Sequence, residues 1–298
     1  MFALLTLSQN FGRLMMFSFL WSGGRSDRHG SAKPFMAVQL RPGPQVSFRI
    51  KFYKLPSFSQ CNVLHFEHMV NLKIIQPANL WYIVGLIVTD GNLSKDGRHV
   101  SITSKDAELL IEVKIALHLE SKLGHKARGG EKEKKYTVLQ FSDVAFYQYL
   151  NTIGIQPKKS LTLGAINVPS DYFKDFLRGV IDGDGSINTW IHKTNKQSQW
   201  CLRITSGAPL FSTWIHQEIQ NHFSVTGKLY SYKFKGKKNP INIIKFGKIA
   251  TKIILRNIYY SNCLSLERKR ITAQQCLNDK DGWKGYAKMI NNAEVVER

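Results

Sequence analysis

Two aspartates occupy matched positions in this chain. Asp90 and Asp184 each stand five residues after a glycine, Gly85 or Gly179, and each is followed directly by another, Gly91 or Gly185. The stretch Tyr82-Ile83-Val84-Gly85-Leu86-Ile87-Val88-Thr89-Asp90-Gly91 is echoed by Phe176-Leu177-Arg178-Gly179-Val180-Ile181-Asp182-Gly183-Asp184-Gly185. An apolar run with a glycine inside it reads as a helix that another backbone approaches closely, because glycine is otherwise costly in a helix. The trailing glycine reads as a C-cap. Each aspartate then falls in a last turn, where the helix dipole disfavours a carboxylate by about 0.3–1 kcal/mol. Two such placements point to a positive partner such as a metal ion. Mg2+ takes few protein carboxylates and fills its shell with water and substrate phosphate, so one aspartate per helix is chemically sufficient. Held that way, it neutralises a phosphodiester, activates water and supports the leaving oxygen.

Asp182 offers a competing carboxylate. Asp182-Gly183-Asp184-Gly185 also resembles the start of an EF-hand loop, but Ile187 stands where that loop requires glycine and Lys193 where it requires glutamate. Spacing from Gly179 selects Asp184, which leaves Asp182 as a local hydrogen-bonding group.

The elements that position these residues come in two rounds. The first is a motif helix, Leu80 to Thr89, with Asn79 as its N-cap, then a polar turn Gly91 to Gly97 and a strand His99 to Thr103. A helix Ala107 to Leu119, a glycine-rich basic connection Leu123 to Lys135 that holds the end of one strand and a loop, a strand Tyr136 to Phe141 and a helix Val144 to Ile153 follow. In the second round Ser170 caps a motif helix running to Asp184, and a polar stretch precedes a strand Gln199 to Ser206. Then come a helix Pro209 to Phe223, strands Lys228 to Phe234 and Ile241 to Phe246, a helix Ile249 to Tyr259 and a last helix within 264–279. Ile102-Thr103-Ser104 recurs as Ile204-Thr205-Ser206. The order is an internal duplication. It gives repeats over 71–160 and 161–298 and a pseudo-symmetric α+β molecule with two sheets side by side.

Residues 1–70 read differently. Arginine, serine, methionine and phenylalanine are frequent, acidic residues are scarce and periodicity is poor. An organellar transit peptide, for mitochondrion or plastid, and an upstream reading frame translated in continuity both fit. Little packed structure is expected there, with a short strand over Val46 to Tyr53 still open. The 298 residues carry a net charge of +21. Nine of the 42 basic and two of the 21 acidic residues precede Leu80, so the excess belongs to the repeats as well. A chain this basic meets a polyanion, most often nucleic acid. Cys61, Cys201, Cys263 and Cys276 have no metal-type spacing and read as free thiols in a reducing compartment. No apolar run is long enough to span a bilayer.

Ile83 to Gly91 and Leu177 to Gly185 resemble the nine-residue LAGLIDADG motif of homing endonucleases and their relatives. The second copy is the closer match; the first has Val88 where the motif has its first aspartate. The resemblance covers about 80–275. It implies the αββαββα fold given twice, with two β-sheet saddles and the motif helices packed through Gly85 and Gly179 at the interface. It also implies that Asp90 and Asp184 share a Mg2+ site over the DNA minor groove. The implied activity is that of a monomeric, intron-encoded endonuclease cutting both strands of a long DNA site. An RNA maturase acting on intron RNA and a non-catalytic DNA-binding protein are the alternatives on the same fold. In some relatives a polar or basic residue at the place of Lys105 lies near the scissile phosphates, with Lys159 and Lys269 as weaker alternatives. A two-stranded ribbon fits the major groove. The DNA-contact candidates in the first repeat are Arg98, His99, Lys126, Arg128 and Lys132. Those of the second are His192, Lys193, Lys196, Arg203, Lys228, Lys233, Lys235, Lys237 and Lys245. Most serve phosphates and fewer read bases.

Overall fold

The computed structural model describes residues 70, 72, 74–127, 133–236 and 238–279. The expected extension, apart from Val70, lies outside the described residues, as do Cys61, Arg128, Lys132 and Lys237. The described elements belong to one compact unit, Val63–Arg298.

The first repeat comprises α1 (Pro77–Asp90), β1 (Gly91–Leu93), β2 (His99–Ser104), α2 (Ala107–Ala116), β3 (Leu123–Lys126), β4 (Tyr136–Ser142) and α3 (Val144–Thr152). A single-turn helix, α4 (Lys159–Thr162), and a 3-10 turn, Ser170–Tyr172, lead into the second. There α5 (Phe173–Asp184), β5 (Gly185–Ile191), β6 (Ser198–Ser206), α6 (Pro209–Phe223), β7 (Lys228–Tyr232), β8 (Ile241–Phe246) and α7 (Lys248–Ile258) repeat the order, and α8 (Glu267–Asn278) follows. The strands form two four-stranded antiparallel sheets, ordered β1-β2-β4-β3 and β5-β6-β8-β7. Gly91 pairs with Ile102 and Gly185 with Ile204, so the two sheets share one register. This is the α+β duplication the sequence predicts.

Burial explains the helices at the centre. Every residue of α1 from Leu80 to Val88 is buried, as expected of a helix that is apolar all round. In α5 the buried run includes Asp175, Arg178 and Asp182. The strands alternate instead: Val100, Ile102, Leu139 and Phe141 enter the first core, and Leu202, Ile204, Ile244 and Phe246 the second. Asp143 caps α3, accepting from Phe146 N at 2.8 Å and also from Val70 N, which ties the start of the described chain to the first repeat.

Four expectations change. α1 starts at Pro77, whose missing N–H costs nothing in a first turn, and Asn79 lies inside the helix rather than capping it. Ser170 opens a 3-10 turn, and α5 begins at Phe173. Strand β1 starts directly at Gly91, where the sequence suggests a polar turn, and β5 starts at Gly185, ahead of the polar stretch the sequence suggests. Those glycines are extended, with φ/ψ of −86°/154° and −82°/157°, not left-handed. Their need is space: a Cβ would lie 2.6 Å from Ile87 Cα at Gly91 and 2.7 Å from Ile181 Cα at Gly185. The chain turns from helix to strand against its own last turn.

Candidate active site and nucleic-acid interface

The site begins where α1 and α5 touch. A Cβ on Gly85 would stand 2.9 Å from Gly179 Cα and run into the Phe176 carbonyl. One on Gly179 would stand 2.9 Å from Leu86 N and 3.0 Å from Gly85 Cα, and would run into the Tyr82 carbonyl. Backbone therefore meets backbone along both glycines. The approach persists to the helix ends. A Cβ on Gly183 would strike the Thr89 side chain and come within 3.2 Å of Asp90 Oδ2. Asp90 thus reaches the turn that ends in Asp184, and both aspartates are exposed.

Two buried lysines serve this end of the helix pair. Lys159 donates from Nζ to Gly91 O at 2.6 Å. It follows Lys158, whose backbone is left-handed at φ 61°, a conformation that costs a residue with a Cβ about 1–2 kcal/mol. Lys269, on α8, donates to Ile181 O at 2.6 Å, Asp182 O at 2.7 Å and Gly183 O at 3.2 Å. It covers the carbonyls of Asp182 and Gly183, which the last turn of α5 leaves without helical partners, and shares that of Ile181 with the Gly185 N–H. Burial pulls Lys159 down to about 8, and the charges of Asp184 and Asp90 oppose that pull. Burial likewise brings Lys269 to about 8, with Asp182, Asp90 and Asp184 opposing and Arg268 assisting. Both lysines therefore sit in the field of both aspartates. Lys105 is exposed, with its ammonium 5.4 Å from the Tyr136 ring centroid. Lys159 and Lys269, the weaker alternatives in the sequence, contact the two helix ends directly. The sequence offered little to rank them by, since each joins the site through a contact across tens of residues.

Asp182 is a hydrogen-bonding group, as its spacing suggests. It accepts from Tyr82 Oη at 2.9 Å, Tyr259 Oη at 2.5 Å and Leu266 N at 2.7 Å. Burial pushes its carboxyl up, while the bonds from Tyr259, Leu266 and Tyr82 and the charge of Lys269 hold it down. The Tyr82 bond crosses from α1 to α5. At the matched positions, Val88 stands where α5 has Asp182, and Phe176 where α1 has Tyr82. Beneath this network Arg178 is fully buried, bonded to Asp175 Oδ1 at 2.8 Å and to the carbonyls of Ile258 and Leu264.

The basic residues spread over the sheets and their turns. His192, Lys193 and Lys196 sit at the β5–β6 connection, Lys233 and Lys235 at the β7–β8 connection, and all are exposed. Lys126 lies opposite Tyr136 at the edge of the first sheet. Arg203, Lys245 and Lys228 occupy opposed positions across the second. Arg98 and His99 both contact Asp96, which sets a carboxylate beside these two candidates. Trp200 is a packing residue whose Nε1 donates to Asp279 Oδ2 at 2.5 Å, whereas Trp190 is exposed.

Residues 77–154, from the start of α1 through α3, match the family model described as a LAGLIDADG-like domain. The match covers the first repeat, which is a LAGLIDADG-like domain. The second repeat lies beyond the matched residues and carries the second copy of the motif at the end of α5. No curated protein matches the chain in sequence. Among solved structures, the homing endonuclease I-WcaI bound to its DNA recognition sequence aligns with a TM-score of 0.49 and 12% identity over 67% of this chain and 87% of that one. Mesophilic variants of the homing endonuclease I-DmoI align at 0.44 and 16%, over 66% and 97%. Full-length DUF199/WhiA from Thermatoga maritima aligns at 0.43 and 14%, over 74% of this chain, which spans 66% of the length of that protein. Among the described residues no helix is long and apolar enough to cross a membrane.

Proposed function

We propose that the protein is a DNA endonuclease that hydrolyses one phosphodiester on each strand of a long duplex site. The observation that carries this reading is the seam of α1 and α5: it brings two exposed aspartates, one from each repeat, to one end of a glycine-spaced helix pair and sets two buried lysines beside them. Two like charges at two helix C-termini are unfavourable on both counts, an arrangement that favours a site built for a cation.

The residues fit Mg2+. Asp90 and Asp184 are hard oxygen donors, and no group of three or more His, Cys, Asp or Glu that could hold a metal occurs among the described residues. A sparse carboxylate pair of this kind suits an ion that keeps most of its shell for water and phosphate. Bound there, Mg2+ supplies charge neutralisation of the phosphate and a more acidic water. The remaining work belongs to side chains. Lys159 and Lys269, protonated at neutral pH, place positive charge where negative charge develops on the phosphate, in a setting of low solvation. Asp182 fixes the last turn of α5, and hence Asp184, through its bonds to Tyr82, Tyr259 and Leu266. The basic sheets supply the salt-dependent grip on the backbone.

The test is cleavage of duplexes enriched by the wild-type chain from a random pool, assayed with Mg2+ and with chelator. The Asp90→Asn, Asp184→Asn double variant is assayed beside it. Mg2+-dependent double-strand cuts by wild type alone support the proposal. Tight binding without cutting leaves a DNA-binding module on the same fold. Binding only to structured RNA returns the splicing role to first place.

A further inference from the structure

The open faces of the two sheets differ in kind when compared row by row. Val100, Ile102 and Leu139 turn into the first core, so Ser101 and Gln140, one residue out of phase with them, stand on the opposite face. In the second sheet Leu202, Ile204 and Ile244 are core, and Arg203 and Lys245 stand opposite. Because the registers match, the rows correspond. Beside the aspartate end, the first sheet presents Asn92, Ser101 and Gln140 in register. The second presents Ser186, Arg203, Lys245 and Lys228.

The second row is electrostatically unfavourable as it stands. Like charges directly opposite each other on a sheet are destabilising, and here Arg203 opposes Lys245 and Lys245 opposes Lys228, with no carboxylate in the row. Arg203 Nε is enclosed and, among the described residues, has no hydrogen-bond partner. Lys245 Nζ lies 4.9 Å from the Tyr230 ring centroid, over an aromatic face rather than an acid. The first row carries no charge on β1, β2 and β4; its next position, one residue before β3, is Lys122, which matches Lys228. These rows start on β1 and β5, two residues beyond Asp90 and Asp184, and run across the two inner strands of each sheet. A sheet laid in a major groove turns its inner strands to base edges and leaves its turns to the phosphates.

Resting on the DNA reading above, we infer that the two halves of the site are read by different chemistry. Arg203, seconded by Lys245, recognises guanine at the base pairs nearest the cut in one half. Gln140, with Asn92 and Ser101, recognises adenine at the matching base pairs in the other. The donor patterns decide the assignment. Guanidinium and ammonium groups only donate, and guanine offers two acceptors, O6 and N7, in the major groove. A side-chain amide both donates and accepts, matching adenine N7 and N6–H.

The experiment is selection of a randomised duplex pool by the full chain in chelator, followed by sequencing and by titration of the enriched duplex. An asymmetric motif is expected, with guanine inside one half and adenine inside the other. Arg203→Ala is expected to relax the guanine alone and weaken binding of the enriched duplex by about 10- to 100-fold, with little change on duplexes lacking that guanine. Gln140→Ala should relax the adenine alone. Arg203→Gln should move the preference at its position from guanine towards adenine, and unchanged thermal unfolding of each variant shows that the fold is kept. Motifs of the same base composition in both halves overturn the inference. So does an equal loss on every sequence with a shallower salt slope, since that marks Arg203 and Lys245 as phosphate contacts. Failure of wild type to retain any duplex overturns the DNA reading itself, whereas retention without enrichment overturns only this inference.

Discussion

Substituting Gly179→Ala tests the seam on which the proposed site depends. The added methyl would meet only backbone: the Tyr82 carbonyl, Leu86 N at 2.9 Å and Gly85 Cα at 3.0 Å. Carbon atoms pack comfortably at about 3.5–4.0 Å, so α1 has to withdraw by roughly 1 Å, and no flexible side chain can yield in its place. Overpacking of this kind costs about 1–3 kcal/mol, while alanine regains about 1 kcal/mol of helix propensity. With both helices buried along their length, the overpacking should prevail, and a net loss of about 1–2 kcal/mol is expected. In a unit of this size that lowers Tm by about 2–8 °C. Gly164→Ala is the control, since a Cβ there meets nothing within 4 Å. Adding Gly85→Ala to Gly179→Ala should cost less than the two separately, because one displaced seam accommodates both methyls. The readouts are urea denaturation and thermal unfolding. Gly179→Ala as stable as Gly164→Ala would refute the close-contact argument, and full cleavage activity in a destabilised Gly179→Ala would detach the seam from catalysis.

Other consequences are open to measurement. Asp90→Asn and Asp184→Asn should each abolish most cleavage while duplex binding in a gel shift persists. Each removes a charge the helix dipole disfavours but also one that opposes deprotonation of Lys159 and Lys269, so stability should move by less than about 1 kcal/mol. Those two lysines bind protons more weakly in the fold, at about 8, than in an unfolded chain. The unfolded state therefore holds more protons between about pH 8 and 10, and their contribution makes unfolding free energy rise with pH across that window. Denaturation curves at several pH values should show this rise, and Lys269→Met should reduce it. Asp182→Val leaves two buried hydroxyls and the Leu266 N–H without their acceptor, and a loss of about 3–5 kcal/mol in a urea titration is expected. Neutralising Lys193, Lys196, Lys233 and Lys235 together should weaken duplex binding on all sequences and reduce its salt slope by roughly one unit for each lysine that contacts a phosphate.

Sequence reading reached some elements cleanly and failed at others for local reasons. α6 and β8 have the expected bounds, Pro209–Phe223 and Ile241–Phe246, because helical or alternating burial runs uninterrupted to a clear breaker. β1 and β5 were hidden because each begins on the glycine that ends a helix; a polar residue after glycine looks like a turn when the strand partner lies farther along the chain. The aspartates and glycines of the seam were legible through duplication, which repeats a weak signal at fixed spacing. Lys159 and Lys269 were visible only as subordinate candidates, since neither lies in a motif and their roles arise from packing. Lys105 was conspicuous because it adjoins a repeated strand. The contrast between the Ser101–Gln140 pair and the Arg203–Lys245 pair needs the strand register, which no single strand reveals.

The bond from Tyr82 to Asp182 bears on ancestry. If the two repeats descend from one unit that once paired with itself, that route back is now blocked. Two copies of α5 facing each other would set each buried Asp182 against Phe176, which has no hydroxyl to give. Two copies of α1 would set each Tyr82 hydroxyl against Val88, which has nothing to accept it. Only the mixed pair makes this bond. A tyrosine on one side and an aspartate on the other have turned an interchangeable partnership into an obligate one, and either repeat expressed alone inherits half of a bond.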